Sequence, residues 1–337
     1  MIRKIFLSAV LLAAALATAA AAADAPRSRD FELTYTAHVT ELPPDAHQVD
    51  VWIPYPVSDG NQDVTVTEVV SPYPHEIVKE PRYGNSILHV TASDPKEPAF
   101  DVVMKVRVKR REYLRKDFAA KRSGAKGADA SVQQWLKPDR LVPIDDRIRQ
   151  LAVQVTRGKK TDLDKARAIY DYVVDTMSYD KTGTGWGNGD IYWACDAKRG
   201  NCTDFHALFI GLNRAVGIPA KFEIGFPVPP DHGQGEIGGY HCWAEFYLSG
   251  YGWVPVDASE ARKHPEKRDY FFGALDENRV QLSIGRDLVL APRQKGDALN
   301  YFIYPYVEVN GQPFQKVAKT FAYKDQADQP QASPAGR

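Results

Sequence analysis

Cys202, His241 and Asp257 are the residues whose types and spacing could do covalent chemistry together. Behind Cys202, apolar residues fall at Phe205, Leu208, Phe209, Leu212 and Val216. That i, i+3, i+4, i+7 spacing predicts a helix with one buried stripe. Asn201 suits its N-cap, Asp204 brings negative charge to its first turn, and Gly217 with Pro219 ends it. A thiol at the start of a helix is biased toward thiolate, with pKa values of about 3.5–7.5 against about 8.5 for free cysteine. A thiolate needs a base, and the base needs a third group to fix its tautomer. His241 opens the strand-like run Tyr240–Leu248, and Asp257 closes the return run Tyr251–Asp257. A two-residue loop at Ser249-Gly250 would pair Asp257 with Cys242 and turn it to the wrong face, because side chains alternate with period two. The connection should therefore be odd, most simply three residues with Gly250 or Gly252 in the left-handed region. His241 and Asp257 would then be neighbours facing Cys202.

The elements that must position these groups are partly legible. From Asp30 to about Tyr113 the chain alternates in short runs: Phe31–Val39, Val49–Ile53, Val64–Val70, Ile87–Thr91 and Phe100–Val108. Turn-rich segments separate them, which predicts an N-terminal β-sandwich over 24–113. Its histidines, His38, His47, His75 and His89, are expected in packing or surface roles. Residues 114–139 mix lysine, arginine and glycine and read as a basic linker. Two helices should follow, Asp145–Val155 and one starting at Thr161 or Asp162 with a capping-box-like Thr161-Asp162-Leu163-Asp164. A Gly- and aromatic-rich loop, Tyr179–Trp193, leads to the cysteine helix. Strands are expected at Ala220–Phe226, Tyr240–Leu248 and Trp253–Asp257, completing a core over 140–275. Further strand character lies at Leu288–Leu290, Tyr301–Val309 and Lys316–Phe321 in a C-terminal β-rich region, 276–324. The polar residues 325–337 are expected to be disordered.

Lys+Arg 43 balances Asp+Glu 43, so composition carries no footprint for nucleic acid or anionic membrane. Arg3 and Lys4 precede an apolar run from Ile5 to about Ala17, and Ala21-Ala22-Ala23 stands before Asp24. This reads as a secretory signal, residues 1–23, too short in its apolar part to span a bilayer. The mature chain should be exported, periplasmic or secreted, without an integral membrane segment. Three cysteines follow the signal; if one pair forms, Cys195 with Cys242 leaves Cys202 free.

The order Cys, then His-x-Trp-x-Glu, then Gly-Trp-Val-Pro-Val-Asp resembles the transglutaminase-like superfamily, a branch of the papain-type cysteine enzymes. Gly200-Asn201-Cys202, His241-Cys242-Trp243-Ala244-Glu245 and Gly252-Trp253-Val254-Pro255-Val256-Asp257 carry the resemblance. It implies an α+β core in which a helix bearing the cysteine packs on an antiparallel sheet bearing the histidine and aspartate. It also implies acyl transfer at an amide of a protein or peptide, with Cys202 as nucleophile, His241 as base and Asp257 as orienting acid. Exported relatives favour hydrolysis, as peptidase or amidase, over transamidation. Cys242 stands where many relatives have alanine, so a disulfide or buried thiol is worth checking. The Cys202 N–H is a natural oxyanion donor, with an indole of Trp193 or Trp186 as candidates for the second. His206 and Glu245 are expected to support the site by hydrogen bonds. No cofactor or metal is needed for this chemistry.

Two other readings use some of the same residues. A zinc site of Cys195, Cys202, His206 and Cys242 has a spacing unlike the common structural zinc patterns. A non-catalytic binding module on the same core would have no need to keep the cysteine, histidine and aspartate together.

Overall fold

The computed structural model describes residues 26–118 and 130–326. The expected signal segment, the middle of the linker (119–129) and the tail from 327 lie outside the described residues. The strand Ser28–Val39 alternates strictly, with Phe31, Leu33, Tyr35, Ala37 and Val39 buried. It pairs antiparallel with Phe100–Arg111 on one side and with Val317–Asp325 on the other. The resulting sheet runs Gln62–Val70, Phe100–Arg111, Ser28–Val39, Val317–Asp325, Gln234–Glu236. A second five-stranded sheet runs His75–Lys79, Ser86–Ser93, Gln48–Tyr55, Tyr306–Val309, Gln312–Pro313. Inward residues of both sheets belong to one hydrophobic core.

This corrects the expected partition. The N-terminal sandwich and the C-terminal β region are one unit, because Phe321 and Tyr323 of the last strand extend the buried row begun by the first. Asp325, assigned above to a disordered tail, ends that strand and accepts from Arg29 Nε at 2.8 Å. Leu288–Leu290 is not a strand and makes only an isolated bridge, Leu288 to Leu299. His75–Lys79 and Arg279–Ile284 are additional strands. The described ends of the expected linker are packed. Tyr113–Leu114 pairs with Ala274–Leu275, Arg115 donates to the carbonyls of Tyr251 and Trp253, and Trp135 stacks on Tyr83.

The second layer is a four-stranded antiparallel sheet in the order Gly252–Val256, His241–Leu248, Ala220–Pro227, Arg279–Ile284. Its last strand lies beyond 275, so this sheet extends past the expected core boundary. The helix Cys202–Ala215 lies on the face carrying Phe222, Ile224, Cys242, Ala244 and Phe246. Further helices, Asp146–Val155, Asp162–Thr176 and Ile191–Ala197, cover its other sides. Every residue from Cys202 to Arg214 is therefore buried, not a single stripe. The helix Ile191–Ala197 falls partly inside the expected loop; its cap is Asp190, which accepts from the N–H groups of Tyr192 and Trp193. No helix among the described residues is long and apolar enough to cross a membrane.

Candidate active site

Cys202 is the first residue of its helix, and a capping box fixes it there. Asn201 accepts from the Thr203 N–H, and Asp204 accepts from the Asn201 N–H at 3.0 Å. The Asp204 carboxylate also accepts from Gly187 N at 2.7 Å and Gly189 N at 3.0 Å, tying the preceding glycine-rich loop to the helix start. Gly200 passes so close that a Cβ there would stand 2.2 Å from Asp204 Oδ2, at φ +150°. Gly200→Ala should therefore be destabilised by about 2–6 kcal/mol, backbone strain and overpacking combined. Gly60→Ala, whose Cβ would meet nothing within 4 Å, is the control. Equal denaturant midpoints for the two variants would show that the capping arrangement is not rigid.

The hairpin has the odd connection its parity requires. Leu248 pairs with Gly252 across the three residues Ser249–Tyr251, and Gly250 has φ +77°. Ala244 pairs with Val256, so continuing the register sets Asp257 opposite Trp243, in the same row as His241. Asp257 itself caps the next helix, Ala258–Lys263. Its Oδ2 accepts from His241 Nε2 at 2.7 Å and from Arg279 Nη1 at 3.1 Å; its Oδ1 accepts from Glu260 N and Ser259 Oγ, both at 3.0 Å. With Nε2 committed to Asp257, His241 has Nδ1 left to serve the Cys202 thiol, whose charged form the neighbouring imidazole favours.

The electrostatics favour a thiolate–imidazolium pair. Burial opposes charge on Cys202, but hydrogen bonds from Cys242 and His241 and the charge on His241 hold its pKa well below the ordinary thiol value. Burial likewise opposes charge on His241, and the Asp257 carboxylate outweighs it, raising the imidazole to about 10. Asp257 is kept well below the usual carboxylate range, since His241 and Arg279 overcome its burial. Cys195 differs: burial pushes its thiol up to about 11.

His206 binds the site together. Its Nδ1–H donates to the Cys202 carbonyl at 2.8 Å, and its Nε2 accepts from Ala258 N at 3.2 Å. Both nitrogens are thus used by a neutral ring, and burial lowers its pKa in the same sense.

Other expected members fall elsewhere. Glu245 has no contact with Cys202, His241 or Asp257; it pairs with Lys221 at 2.9 Å, which also holds Glu223 at 2.7 Å. Burial and the neighbouring Glu223 raise the Glu245 carboxyl to about 7. Trp186 spends its indole N–H on the Gly183 carbonyl, and Trp193 lies against Gly185 beneath Arg199. Neither is placed at the sulfur by any contact described. The Cys195–Cys242 disulfide does not form: all three cysteines are free, with Cys195 near Arg147 and Tyr172 and Cys242 against the cysteine helix. The same separation breaks up the Cys195/Cys202/His206/Cys242 set, and no cluster of three or more potential ligands is arranged for a metal among the described residues.

Arg279 and Tyr240 have roles the sequence reading missed. Arg279 bridges Asp257 and Asp276 with its guanidinium 5.1 Å from the centre of the Trp243 ring. The alternation Val280, Leu282, Ile284 signalled its strand, but nothing local signalled its partners. The Tyr240 hydroxyl accepts from Asn201 Nδ2 at 2.8 Å and lies 2.9 Å from Thr203 Oγ1, closing over the helix start. Cys202 is 1% exposed. His241 is among the residues lining a groove of about 390 Å³, together with Val228, Ile237, Glu260 and Phe271.

Residues 149–258, which include Cys202, His241 and Asp257, match the profile of the transglutaminase-like superfamily. An uncharacterized protein of Haemophilus influenzae is 29% identical over 330 residues, 87% of this chain and 89% of its own. The uncharacterized protein YebA of Bacillus subtilis is 24% identical over 151 residues, 40% of this chain but 20% of its own. The crystal structure of a cysteine-protease candidate from Cytophaga hutchinsonii superposes with a TM-score of 0.59 at 17% identity, over 90% of this chain and 93% of that one, a likeness of fold. Residues 149–258 of this chain are thus similar in sequence to the transglutaminase-like superfamily, and the chain is similar in fold to the Cytophaga hutchinsonii protein over most of its length.

Proposed function

We propose that the protein is an exported cysteine enzyme that transfers an acyl group from an amide of a protein or peptide, with water as the usual acceptor. Cys202 is the nucleophile, His241 the acid and base, and Asp257 the group that holds the imidazole. The observation that supports this most is the 2.7 Å bond from His241 Nε2 to Asp257, with the Cys202 thiol close enough to the same ring for its charge to raise the imidazole pKa. The Cys202 thiolate attacks the amide carbonyl carbon, and the carbonyl oxygen takes up negative charge. The Cys202 N–H, among the first in its helix and without an intrahelical acceptor, faces that charge. His241 gives its proton to the leaving nitrogen, the C–N bond breaks, and a thioester remains. The neutral imidazole then takes a proton from water, which attacks the thioester and frees the sulfur. Because Cys202 is 1% exposed, the side chains that cover the helix start must move apart before a carbonyl carbon reaches the sulfur.

The test is rapid alkylation of Cys202 by iodoacetamide at neutral pH, with mass spectrometry of acyl groups captured from a periplasmic extract. Cys202→Ala should capture nothing and lose all turnover of a trapped amide. Equal alkylation rates in the parent protein and His241→Ala would remove His241 as the activating base.

A further inference from the structure

Cys242 is a second thiol at the nucleophile that the amide chemistry does not consume. In register it pairs with Ile224, in the row of the sheet that faces the cysteine helix. Its sulfur lies 3.9 Å from Thr203 Oγ1 and 3.6 Å from His206 Nδ1, against the first turn of that helix. Thr203 and His206 follow Cys202 by one and four residues on the helix, so this sulfur lies beside the turn that carries Cys202, and the Cys202 sulfur is near enough to raise its pKa. Both residues are free thiols, and the third cysteine is in other company.

We infer that Cys202 and Cys242 form a reactive dithiol, in which Cys242 resolves a peroxide-oxidised Cys202 into a reversible disulfide. The order of events follows from the two environments. Cys202 is the thiolate, whereas burial and the neighbouring sulfur keep Cys242 protonated, so the first oxidation falls on Cys202. The thiolate attacks one oxygen of hydrogen peroxide; the S–O bond forms, the O–O bond breaks and hydroxide leaves, two electrons having passed from sulfur to peroxide. The Cys242 sulfur then attacks the sulfenic sulfur as its proton passes to the departing hydroxyl. The S–S bond forms, the S–O bond breaks and water leaves. A dithiol reductant reverses the change. Without a resolving thiol the sulfenic acid is open to further, irreversible oxidation. A space-filling Cys242 would give no such protection.

This inference needs only the nucleophilic sulfur and not the amide reaction, so its test reads mass and not turnover. The full chain is treated with hydrogen peroxide, unfolded without reductant, alkylated, digested and mapped. The expected product has lost two hydrogens, contains a Cys202–Cys242 linked peptide and alkylates only at Cys195; dithiothreitol restores alkylation at all three cysteines. Cys242→Ala should instead gain two or three oxygens on Cys202 and resist reduction. Oxygen added to Cys202 of the parent protein while Cys242 still alkylates would overturn the inference. So would a disulfide through Cys195, or no oxidation at all. If the disulfide forms but the reduced protein cleaves no amide, the proposed function falls and the dithiol stands.

Discussion

Asp257→Asn should lower amide turnover on the order of 10³-fold or more, by analogy with the about 10⁴-fold cost of the same change in a serine triad. Four donors converge on the two carboxylate oxygens: His241 Nε2 and Arg279 Nη1 on Oδ2, Glu260 N and Ser259 Oγ on Oδ1. An asparagine has only one accepting oxygen. If it stays on Glu260 and Ser259, the amide N–H₂ faces Arg279 and forces His241 Nε2 to accept. The ring then cannot carry both protons. The pH profile should report this independently of the rate. In the parent protein the ion pair exists from the depressed pKa of Cys202 up to the imidazolium pKa of about 10. Asp257 is the foremost group raising His241, so its loss moves the alkaline limb down. A less protonated ring stabilises the thiolate less, so the acid limb moves up. The plateau of kcat/KM narrows from both sides. An unchanged alkaline limb in Asp257→Asn would mean that this carboxylate does not hold the proton on His241.

Local signals made the helix that begins at Cys202 legible. Asn201, Asp204 and the Gly217–Pro219 stop define the cysteine helix within twenty residues, and the structure adds only that both helix termini and flanks are covered. The hairpin was legible through parity: two residues between the strands would have separated His241 from Asp257, and three bring them together. What escaped depends on contacts distant in the chain. Val317–Asp325 completes the sheet begun by Ser28–Val39, a pairing that no window of twenty residues contains. Glu245 shares a row with His241, yet Lys221 on the neighbouring strand claims it. Trp186 sits in a loop rich enough in carbonyls to use its indole N–H locally, which took it out of contention as an oxyanion donor.

Arg279 shows the same gap and has a large expected effect. It is 3% exposed and lies between Asp257 and Asp276, so Arg279→Met leaves the buried Asp257 and the partly buried Asp276 without their shared cation. Removing one partner of a buried ion pair costs about 3–5 kcal/mol, which a denaturant titration at neutral pH would read directly. Burial raises the Asp276 carboxyl and Arg279 lowers it, for a net depression, and Asp257 is depressed in part by the same cation. A depressed carboxylate contributes stability above its unfolded pKa and loses it as pH falls through its folded pKa. In the variant the folded pKa values move back up, so acid unfolding should begin at a higher pH than in the parent protein. His241 still has its carboxylate, so the alkaline limb of activity should not fall, in contrast to Asp257→Asn. Arg279→Lys keeps the charge but not the two-pronged geometry and should recover part of the stability. An acid-unfolding midpoint that does not move in Arg279→Met would show that Asp257 is held by His241 and the helix cap alone.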